Sequence, residues 1–379
     1  MTEMSDVLVV GAGMAGASAA WALSALGSVR LLEQEDRPGY HTTGRSAALF
    51  TETYGNSVIR RLTSAGRAFF KDPPDGFAAH PLLSPRGTLL IARADQTAAL
   101  ERVLAETPAG SPAPQHLSGA EACALNPALA PDYVAAALYE PDAEDIDVDA
   151  LHQGFLRGLK ARGGTLSTRA EIRSLARKNG LWIAETPAGR FAAPVLVNAA
   201  GAWADAVAGL TEIAPIGLVP KRRTAFTFAP SEGVDPASWP ATIDVEEQFY
   251  FKPEAGLILG SPADETPSPP CDAQPEELDV AIGVDRIETA TVLQVRRIAH
   301  KWAGLRSFVA DKTPVVGFDP AAAGFFWLAG QGGYGIQTAP ALARTVASLI
   351  ETGELPSDQR AAGITAADLS PERLTAAAP

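Results

Sequence analysis

The sequence predicts an α/β protein with two lobes, an α+β arrangement in which a parallel-sheet domain is interleaved with a mainly antiparallel-sheet domain. Length is the first observation, because 379 residues exceed what one compact core usually holds. The second is a glycine-rich strand–turn–helix–strand pattern at the start of the chain, and the third is its partial recurrence in two later segments. The stretches between these segments hold short runs typical of antiparallel strands.

The composition is that of an acidic folded protein. Hydrophobic residues make up 46% of the chain, and 31 Lys and Arg face 44 Asp and Glu, for a net charge of −13. Such a surface repels polyanions, which argues against nucleic acid and anionic lipid as partners. Cys123 and Cys271 form no CxxC pair and the five histidines are scattered. We therefore expect no metal site, no disulfide and a cytoplasmic location.

The apolar residues 7–29 are not expected to be a signal peptide. They follow a segment that holds Glu3 and Asp6 and no cation, whereas a signal peptide begins with cations. No stretch elsewhere is apolar for long enough to form an integral membrane segment. Peripheral association with the inner face of the membrane stays open.

The first segment, DVLVVGAGMAGASAAWALSALGSVRLLEQE, predicts a Rossmann-like dinucleotide site. Residues 6–10 form an expected strand, the GxGxxG turn leads into a helix of small residues, and Gly27 is the expected helix end. Residues 29–32 form the second expected strand, and an acid follows it directly. All parts of the pattern stand in order, which favours this interpretation over an ordinary glycine turn.

Each glycine of the motif has a mechanical purpose. Gly11 permits a sharp turn, Gly13 lets a pyrophosphate approach the backbone, and Gly16 lets the helix touch the strand. The helix N-terminus then offers free N–H groups to the phosphates. Glu33 can accept hydrogen bonds from ribose hydroxyls, which favours an adenosine without a 2′-phosphate.

The stretch GYHTTGRSAALFTETYG, residues 39–55, favours FAD over NAD. An NAD-type domain would continue here with a helix and a third strand, whereas small hydroxylated residues and one arginine can surround a second phosphate and a ribityl chain. An ordinary polar loop is the alternative for this stretch alone. Residues 193–210 and 325–353 repeat the strand, glycine turn and helix. The last helix, with Thr338 as candidate N-cap and Pro340 in its first turn, would direct a positive end at the flavin edge that becomes negative on reduction.

Eight motifs together carry a resemblance to a known family. They are VVGAGMAGAS, PGYHTTGRSAALFTETYG, HPLLSPRG, DIDVDALHQGFLRG, VLVNAAGAW, PKRRTAF, KWAGLRSFVADKTPVVG and AGQGGYGIQT. With them the chain resembles FAD-dependent oxidoreductases of the D-amino-acid oxidase type, and most closely the bacterial D-arginine dehydrogenase branch.

The resemblance implies a domain layout and a non-covalent FAD. The FAD-binding domain would take residues 1–80, 145–215 and 310–365, the substrate-binding domain 81–144 and 216–309, and a C-terminal tail 366–379. The implied FAD contacts are Gly11, Gly13, Met14, Ala15, Gly16, Glu33, Gln34, Thr43, Gly44, Arg45, Ser46, Ala47, Ala48, Ile172, Ala200, Gly201, Trp203, Gly330, Gly332, Gly333, Tyr334, Gly335, Ile336 and Gln337.

Several stretches outside the motifs carry local expectations. Residues 82–93, 222–228, 248–252 and 256–260 are short β-like runs, and 163–191 has the pattern strand, turn and strand. Residues 262–278 are rich in Pro, Asp and Glu, which predicts a surface loop.

The run PKRRTAF concentrates cations in an acidic chain. Oxidation at Cα requires a fixed substrate carboxylate, and a planar guanidinium holds one best. In a strand Arg222 and Arg223 point to opposite faces, and periodicity does not say which face is inward. The resemblance selects Arg223, with Arg306 as its partner, and leaves Lys221 and Arg222 as solvent or structural charges.

The resemblance also implies the rest of the catalytic site. The hydroxyls of Tyr54 and Tyr250 would contact the substrate, with two ordinary core tyrosines as the alternative. Gly333 and Gln337 would lie near the substrate amine and the flavin. The implied reaction is hydride transfer from Cα to flavin N5, giving an imino acid that hydrolyses to a 2-oxo acid and ammonia. No general base is assigned. His41 is interpreted as a loop residue, with a contact to FAD left open because the motif does not require one.

Departures from the D-arginine branch bear on specificity. That branch has an acid just after SPR and a histidine in the RSAA loop, where this chain has Thr88 and Leu49. Without them a buried cationic side chain would lie unpaired. We therefore expect a neutral, apolar D-amino acid such as D-Leu, D-Met or D-Phe, with Thr51 as a third specificity residue. Glu52 is a candidate compensating acid.

Three other functions stay open at this point. The first is oxidation of glycine, sarcosine or a similar amine, and the second is oxidation of a 2-hydroxy acid, which needs a base that the motifs do not show. The third is an FAD-binding subunit of a larger electron-transfer assembly, against which the retained arginines and tyrosines argue. The electron acceptor, whether a quinone, a dye-like carrier or O2, also stays open.

Overall fold

The computed structural model describes residues 2–105 and 114–375. Residues 106–113 of the predicted substrate-binding domain and the last four residues of the predicted tail lie outside this range. The strands are β1 Thr2–Met4, β2 Val7–Val10, β3 Val29–Leu32, β4 Leu49–Phe50, β5 Leu83–Pro85, β6 Thr88–Ala92, β7 Gln115–Ser118, β8 Ala136–Glu140, β9 Glu144–Ile146, β10 Thr165–Ser167, β11 Ser174–Lys178, β12 Leu181–Thr186, β13 Gly189–Ala193, β14 Val195–Asn198, β15 Val219–Phe228, β16 Ala241–Asp244, β17 Tyr250–Glu254, β18 Leu257–Ser261, β19 Thr266–Pro267, β20 Ile298–Phe308, β21 Val315–Phe318 and β22 Phe325–Ala329.

Helices connect and cover these strands. They are α1 Met14–Leu23, α2 Ser57–Lys71, α3 Thr97–Ala105, α4 Gly119–Leu125, α5 Val148–Ala161, α6 Ala204–Ala208, α7 Glu277–Ala290, α8 Ala339–Thr352, α9 Ser357–Ala361, α10 Ala366–Leu369 and α11 Glu372–Thr375, with 3₁₀ turns at Thr42–Arg45, Ala94–Gln96 and Gly201–Trp203. No helix in the described part of the chain is long and apolar enough to cross a membrane.

A six-stranded sheet forms the predicted Rossmann-like core. Its order is β10-β3-β2-β14-β22-β21, and only β21 runs antiparallel to its neighbour. Strand β2 is buried along its whole length because Val7 and Val9 pack under the helices while Leu8 and Val10 pack against the sheet of β11–β13. The carboxyl ends of β2, β14 and β22 meet at one edge, where ligands of open α/β sheets bind.

A second, larger sheet is mainly antiparallel. Its order is β19-β15-β18-β17-β16-β6-β8-β7, with β20 added to β15, and only β6 and β16 pair in parallel. Phe226, Phe228, Phe249 and Phe251 fill the core between this sheet and α7. These two sheets confirm the predicted mixed fold, whereas the exact domain boundaries stay predictions.

Several local expectations were wrong. Helix α1 ends at Leu23, before Gly27, because the chain tightens after Ser24: the N–H groups of Ala25 and Leu26 bond Ala22 O and Leu23 O, three residues back. Residues 163–191 contribute to four strands, β10 to β13, in place of two. The run 82–93 divides into β5 and β6, since the N–H groups of Arg86 and Gly87 turn to Ala143 O. Thr338 precedes α8, but its hydroxyl donates to Tyr334 O and caps no N–H.

The predicted surface loop 262–278 is also more ordered than expected. Thr266 and Pro267 form β19 against β15, and α7 begins at Glu277. Asp264 is buried and accepts hydrogen bonds from the N–H and the hydroxyl of Thr224. Burial raises the pKa of Asp264, although the hydrogen bond from Thr224 N–H opposes this. Polar composition predicted exposure, but these polar atoms pair with the strand beneath.

Candidate active site

One cavity of about 470 Å³ runs between the two large sheets. Its lining comes from the glycine turns after β2, β14 and β22, from residues 39–51, and from the inner faces of β15, β16, β17 and β20. The volume falls within the range of small-molecule and cofactor sites.

The first glycine turn leaves no room for side chains. A Cβ atom on Gly11 would lie 2.5 Å from Ala199 O, and one on Gly16 would overlap the carbonyl oxygen of Gly11. Gly11 also has a positive φ of 93°. The backbone is therefore exposed to the cavity at the start of α1, as a pyrophosphate requires. Thr43 closes over this turn, since its Oγ1 accepts the N–H of Met14 at 2.9 Å.

Glu33 has the position expected of a ribose ligand. It is buried, lines the cavity, and accepts the N–H of Ala12 at 2.8 Å and that of Glu35 at 3.0 Å. These two bonds fix the carboxylate, and its remaining lone pairs are free to accept ribose hydroxyls. His152 supports the same turn by donating from Nε2 to Ala12 O at 2.9 Å.

The turn after β22 holds a buried donor that no described residue uses. The Nε2 atom of Gln331 is buried and has no hydrogen-bond partner among the described residues. Gln337 is fixed by a bond from Nε2 to Thr63 Oγ1 at 2.9 Å and by the N–H of Thr51 at 3.4 Å. An isoalloxazine carbonyl is the kind of acceptor that would satisfy Gln331, so these residues fit a flavin.

The other end of the cavity brings together the predicted substrate residues. Tyr54, Arg223, Tyr250, Arg306 and Gly333 all line it. Nη1 of Arg306 donates to the Tyr54 hydroxyl at 3.4 Å, and no ion pair joins Arg306 to a carboxylate within residues 2–105 and 114–375. Arg223 is 7% exposed and is oriented by Asp264 O at 2.8 Å and by Glu265 at 3.4 Å.

The charges at this end shift the ionisation of their neighbours. Burial acts to lower the pKa of Arg306, but the Tyr54, Tyr250 and Glu247 side chains hold it above its ordinary value. Burial raises the pKa of Tyr54, Glu247 adds to this, and the cations of Arg306 and Arg223 oppose it. The result is a permanent cation beside a neutral phenol, which is a site for an anion.

Strand register explains which arginine faces the cavity. Arg223 lies opposite Gly304 and Lys221 lies opposite Arg306, so these side chains share one face of β15 and β20. Arg222 points to the other face, where it forms ion pairs with Glu276 and with Asp279 at 2.8 Å. Lys221 bonds Glu265 at 2.8 Å. Lys221 and Arg222 are thus structural charges, as expected.

The specificity residues have different environments. Leu49 and Thr51 line the cavity. Thr88 is fully buried outside the lining, in β6 opposite Glu140 of β8. Glu52 is buried outside the lining as well and pairs with Arg67. Glu52 therefore does not reach the cavity as a compensating acid.

Most of the implied FAD contacts line the cavity. Those that do are Gly11, Gly13, Met14, Ala15, Glu33, Gln34, Thr43, Arg45, Ser46, Ala47, Ala48, Ile172, Ala200, Gly201, Trp203, Gly332, Gly333, Gly335, Ile336 and Gln337. Gly16, Gly44, Gly330 and Tyr334 lie behind it. Gly16 and Gly44 meet backbone oxygens of Gly11 and Gly39, and the Tyr334 ring packs on Tyr54 at 4.8 Å.

Sequence reasoning missed several lining residues. Glu247 occupies the turn between β16 and β17 with a φ of 55°, and its carboxylate is exposed at the rim. Lys252 lines the wall and pairs with Asp145 at 2.7 Å and Glu254 at 2.8 Å. His41 and Gln331 line the cavity too. None of these stands in a repeating pattern, although the FYFKP run that supplied Tyr250 also holds Lys252.

A family comparison decides the assignment of the chain. The family model described as DAO, FAD dependent oxidoreductase, matches residues 6–349. The chain belongs to this family. Its cofactor is FAD. The turns after β2 and β22 and the carboxylate of Glu33 line the cavity that this cofactor fits. Among the described residues of this DAO-family chain, no group of three or more His, Cys, Asp or Glu side chains is arranged to hold a metal ion.

Individual relatives are distant. Mitochondrial dimethylglycine dehydrogenase of Rattus norvegicus is 28% identical over 253 residues, which are 62% of this chain but 29% of that protein. The solved structure of L-proline dehydrogenase from P. horikoshii superimposes with a TM-score of 0.86 at 20% identity, covering 99% of both chains. The solved structure of glycine oxidase from Geobacillus kaustophilus superimposes with a TM-score of 0.80 at 22% identity, covering 92% of this chain and 95% of that chain. At these identities the two structures show the shared fold.

Proposed function

We propose that this DAO-family chain oxidises the Cα–NH2 group of a D-amino acid with a neutral, apolar side chain. The observation that carries the proposal is Arg306, a permanent cation that faces the cavity with no carboxylate paired to it within residues 2–105 and 114–375. The Arg306 guanidinium is half-buried and has no counterion among the described residues, and a bound carboxylate would supply one. The resemblance of the motifs to the D-arginine dehydrogenase branch supports the D configuration.

The chain's own residues would hold and orient the substrate. Arg306 binds the carboxylate through its planar fork, and Arg223, two residues along the neighbouring strand, adds a second cation. Tyr54 and Tyr250 offer hydroxyls beside the same point. Bound FAD would supply the two-electron oxidation, removing a hydride from Cα of the neutral amine, and the resulting imino acid would hydrolyse in water to a 2-oxo acid and ammonia. Fixing the carboxylate at two cations fixes the direction of the Cα–H bond.

The wall beyond these cations favours an apolar side chain. Leu49, Ala241 and Ile243 line it, and the ammonium of Lys252 is already paired with Asp145 and Glu254. Among the described lining residues of this region, Glu247 at the exposed rim is the only carboxylate. A cationic side chain would therefore enter without a buried partner.

Oxidation of glycine or an N-methylated glycine is the competing function. It is favoured by the names of two relatives, a dimethylglycine dehydrogenase and a glycine oxidase. A substrate without a side chain would make no contact with the apolar residues Leu49 and Ile243 of the cavity wall. Both functions use the same carboxylate anchor, so substrate preference distinguishes them.

A substrate panel tests the proposal. The FAD-loaded protein is mixed anaerobically with D-Leu, D-Met, D-Phe, D-Arg, L-Leu, glycine, sarcosine and D-lactate, and loss of the oxidised flavin absorbance is followed. The fastest reduction is expected with an apolar D-amino acid. Preference for D-Arg overturns the apolar specificity, and preference for L-Leu, sarcosine or D-lactate overturns the proposed substrate class. Reoxidation by air or by a quinone then identifies the acceptor, and cell fractionation tests the cytoplasmic location.

A further inference from the structure

We propose that Arg45 and Asp272 form a clasp that holds the FAD-lining residues 39–46, the cofactor turn, against strand β20. In this role Arg45 is a positioning residue and its guanidinium is no phosphate ligand. The inference requires FAD and is independent of which amine is oxidised.

The guanidinium of Arg45 is already satisfied by protein oxygens. Its Nη1 donates to Ala273 O and to Ala303 O, each at 2.9 Å, and its Nη2 forms an ion pair with Asp272. The Arg45 side chain is 14% exposed, and its Cζ lies 5.2 Å from the centre of the Tyr40 ring. A cavity phosphate would have to compete with all three oxygens, which come from two distant segments of the chain.

Asp272 completes the clasp from outside the cavity. It does not line the cavity, and it accepts a hydrogen bond from the Tyr40 hydroxyl at 3.3 Å. The hydrogen bond from Arg45 holds the pKa of Asp272 below its ordinary value. The carboxylate thus stays charged across the neutral range and binds both ends of the Tyr40–Arg45 stretch.

The cofactor turn is bonded to β20 at further points. Trp302 Nε1 donates to Arg45 O at 3.0 Å, and Thr42 Oγ1 donates to Leu305 O at 2.8 Å. The residue after Leu305 is Arg306, so the strand that holds the turn also carries the carboxylate-binding cation. These bonds keep Thr43 over the first glycine turn, where it accepts the N–H of Met14.

The clasp has a direct consequence for FAD release. The cofactor turn forms one wall of the cavity, so its separation from β20 widens the path by which FAD leaves. Loss of the charge on Arg45 or Asp272 weakens the attachment of the cofactor turn, so the cofactor turn separates from β20 more often. A charge-assisted hydrogen bond at a partly exposed site contributes modestly, so we expect release to accelerate about 3- to 10-fold when Asp272 loses its charge.

The test is the rate of FAD release and the Kd of FAD in the full-length protein. Asp272→Asn is compared with Asp358→Asn, which removes the charge from another partly exposed Arg–Asp pair, Arg344–Asp358, away from the cavity. The two aspartates are 45% and 51% exposed. Faster release and a higher Kd are expected for Asp272→Asn and no change for Asp358→Asn. The difference in release rate between Asp272→Asn and the unsubstituted protein should decrease at about 1 M salt, where exposed charges are screened.

Slower FAD release or a lower Kd in Asp272→Asn would overturn the clasp. If Arg45 bound a phosphate, loss of the Asp272 charge would free the guanidinium and tighten FAD binding. Arg45→Lys gives a second comparison, since an ammonium keeps the charge but not the planar fork. For a clasp, Arg45→Lys releases FAD as fast as Arg45→Met, whereas near-normal release by Arg45→Lys supports a phosphate ligand and contradicts the proposal. Asp272→Asn alone decides the matter if the Arg45 variants do not fold.

Discussion

Gly333 approaches Arg306 so closely that a Cβ atom at position 333 would lie 2.9 Å from Nη1 of the guanidinium. The same atom would lie 3.3 Å from the Tyr54 hydroxyl. The absence of a side chain at Gly333 therefore allows a cation, a phenol and a backbone segment to meet at one point of the cavity.

Gly333→Ala should displace Arg306 and weaken carboxylate binding. An error of a few tenths of an ångström at the anchor changes the direction of the Cα–H bond, so kcat/KM should fall about 10-fold or more. Binding of a non-reacting carboxylate such as benzoate, followed by the change in flavin absorbance, should weaken in parallel. Gly66→Ala is the control, because its Cβ would meet Gln337 O at an ordinary 3.5 Å. Unchanged benzoate affinity in Gly333→Ala would contradict the role of this contact.

Arg306→Met should remove most of the substrate affinity. Truncating one partner of a buried charge pair costs roughly 2–5 kcal/mol, so kcat/KM should fall about 100-fold or more. Arg222→Met is the matched control, since Arg222 faces away from the cavity toward Glu276 and Asp279. It should lower the free energy of unfolding but leave kcat/KM of the folded protein unchanged. Equal losses in the two variants would show that the effect is structural.

The pH dependence of the reaction should be free of Tyr54 ionisation. Burial raises the pKa of Tyr54 above the ordinary value of about 10, so its hydroxyl stays protonated at neutral and moderately alkaline pH. Tyr54→Phe should lower kcat/KM about 10-fold by removing one hydrogen bond, with every inflection between pH 6 and about 10 retained. Disappearance of an alkaline inflection in Tyr54→Phe would assign that inflection to Tyr54 and refute the expectation.

His152 should make the fold less stable in mild acid. Burial lowers its pKa, although the bond to Ala12 O and the charge of Asp149 oppose this. His152 then binds a proton near pH 6.5 in the unfolded chain but only at lower pH in the folded chain. The free energy of unfolding is therefore highest above about pH 6.5 and decreases as the pH falls below it. Urea unfolding at pH 7.5 and 5.5 measures this decrease, which should be smaller in His152→Gln. The exposed His80 provides the control variant His80→Gln.

Glu140 should stabilise the segment that precedes Tyr54. The carboxylate is 4% exposed and accepts bonds from Thr51 Oγ1 at 2.7 Å, Glu52 N at 2.8 Å and Thr53 Oγ1 at 2.6 Å. Glu140→Ala leaves these donors buried without an acceptor, so the free energy of unfolding should fall by about 2–4 kcal/mol. Urea denaturation measures the change, and Glu354→Ala at an exposed ion pair should change it little. Equal free energies of unfolding for Glu140→Ala and Glu354→Ala would contradict a stabilising role for the buried Glu140 carboxylate.

The parts of the site that depend on backbone shape were predictable from sequence. Glycine is needed at 11 and 16 because neighbouring backbone leaves no space, and a Cβ on Gly13 would lie 3.3 Å from Thr43 Oγ1. The spacing of these glycines is visible in one segment. Helix α1 itself was predicted, although its end was not, since the tighter backbone turn after Ser24 has no sequence signal.

The parts that depend on pairing between distant strands were not predictable from periodicity. The pattern of β15 places Arg222 and Arg223 on opposite faces, and only the partners Asp279 and Gly304 determine which face is inward. Thr88 and Glu52 appeared to be cavity residues because both stand near motif positions. Glu52 instead pairs with Arg67 on α2, and Thr88 is buried in the sheet opposite Glu140, two placements that become visible only once the elements are packed.

The position of β22 and α8 in the parallel sheet has a consequence for biosynthesis. Strand β14 lies between β2 and β22 in the parallel sheet. Strand β2 leaves the ribosome long before β22 does. The turn after β22 lines one side of the FAD cavity. A nascent chain can therefore form the first glycine turn but cannot enclose FAD until residues 325–337 have been made. Flavin binding thus follows the synthesis of this segment, and a chain that has made it without FAD lacks the stabilisation that a bound ligand gives the folded state.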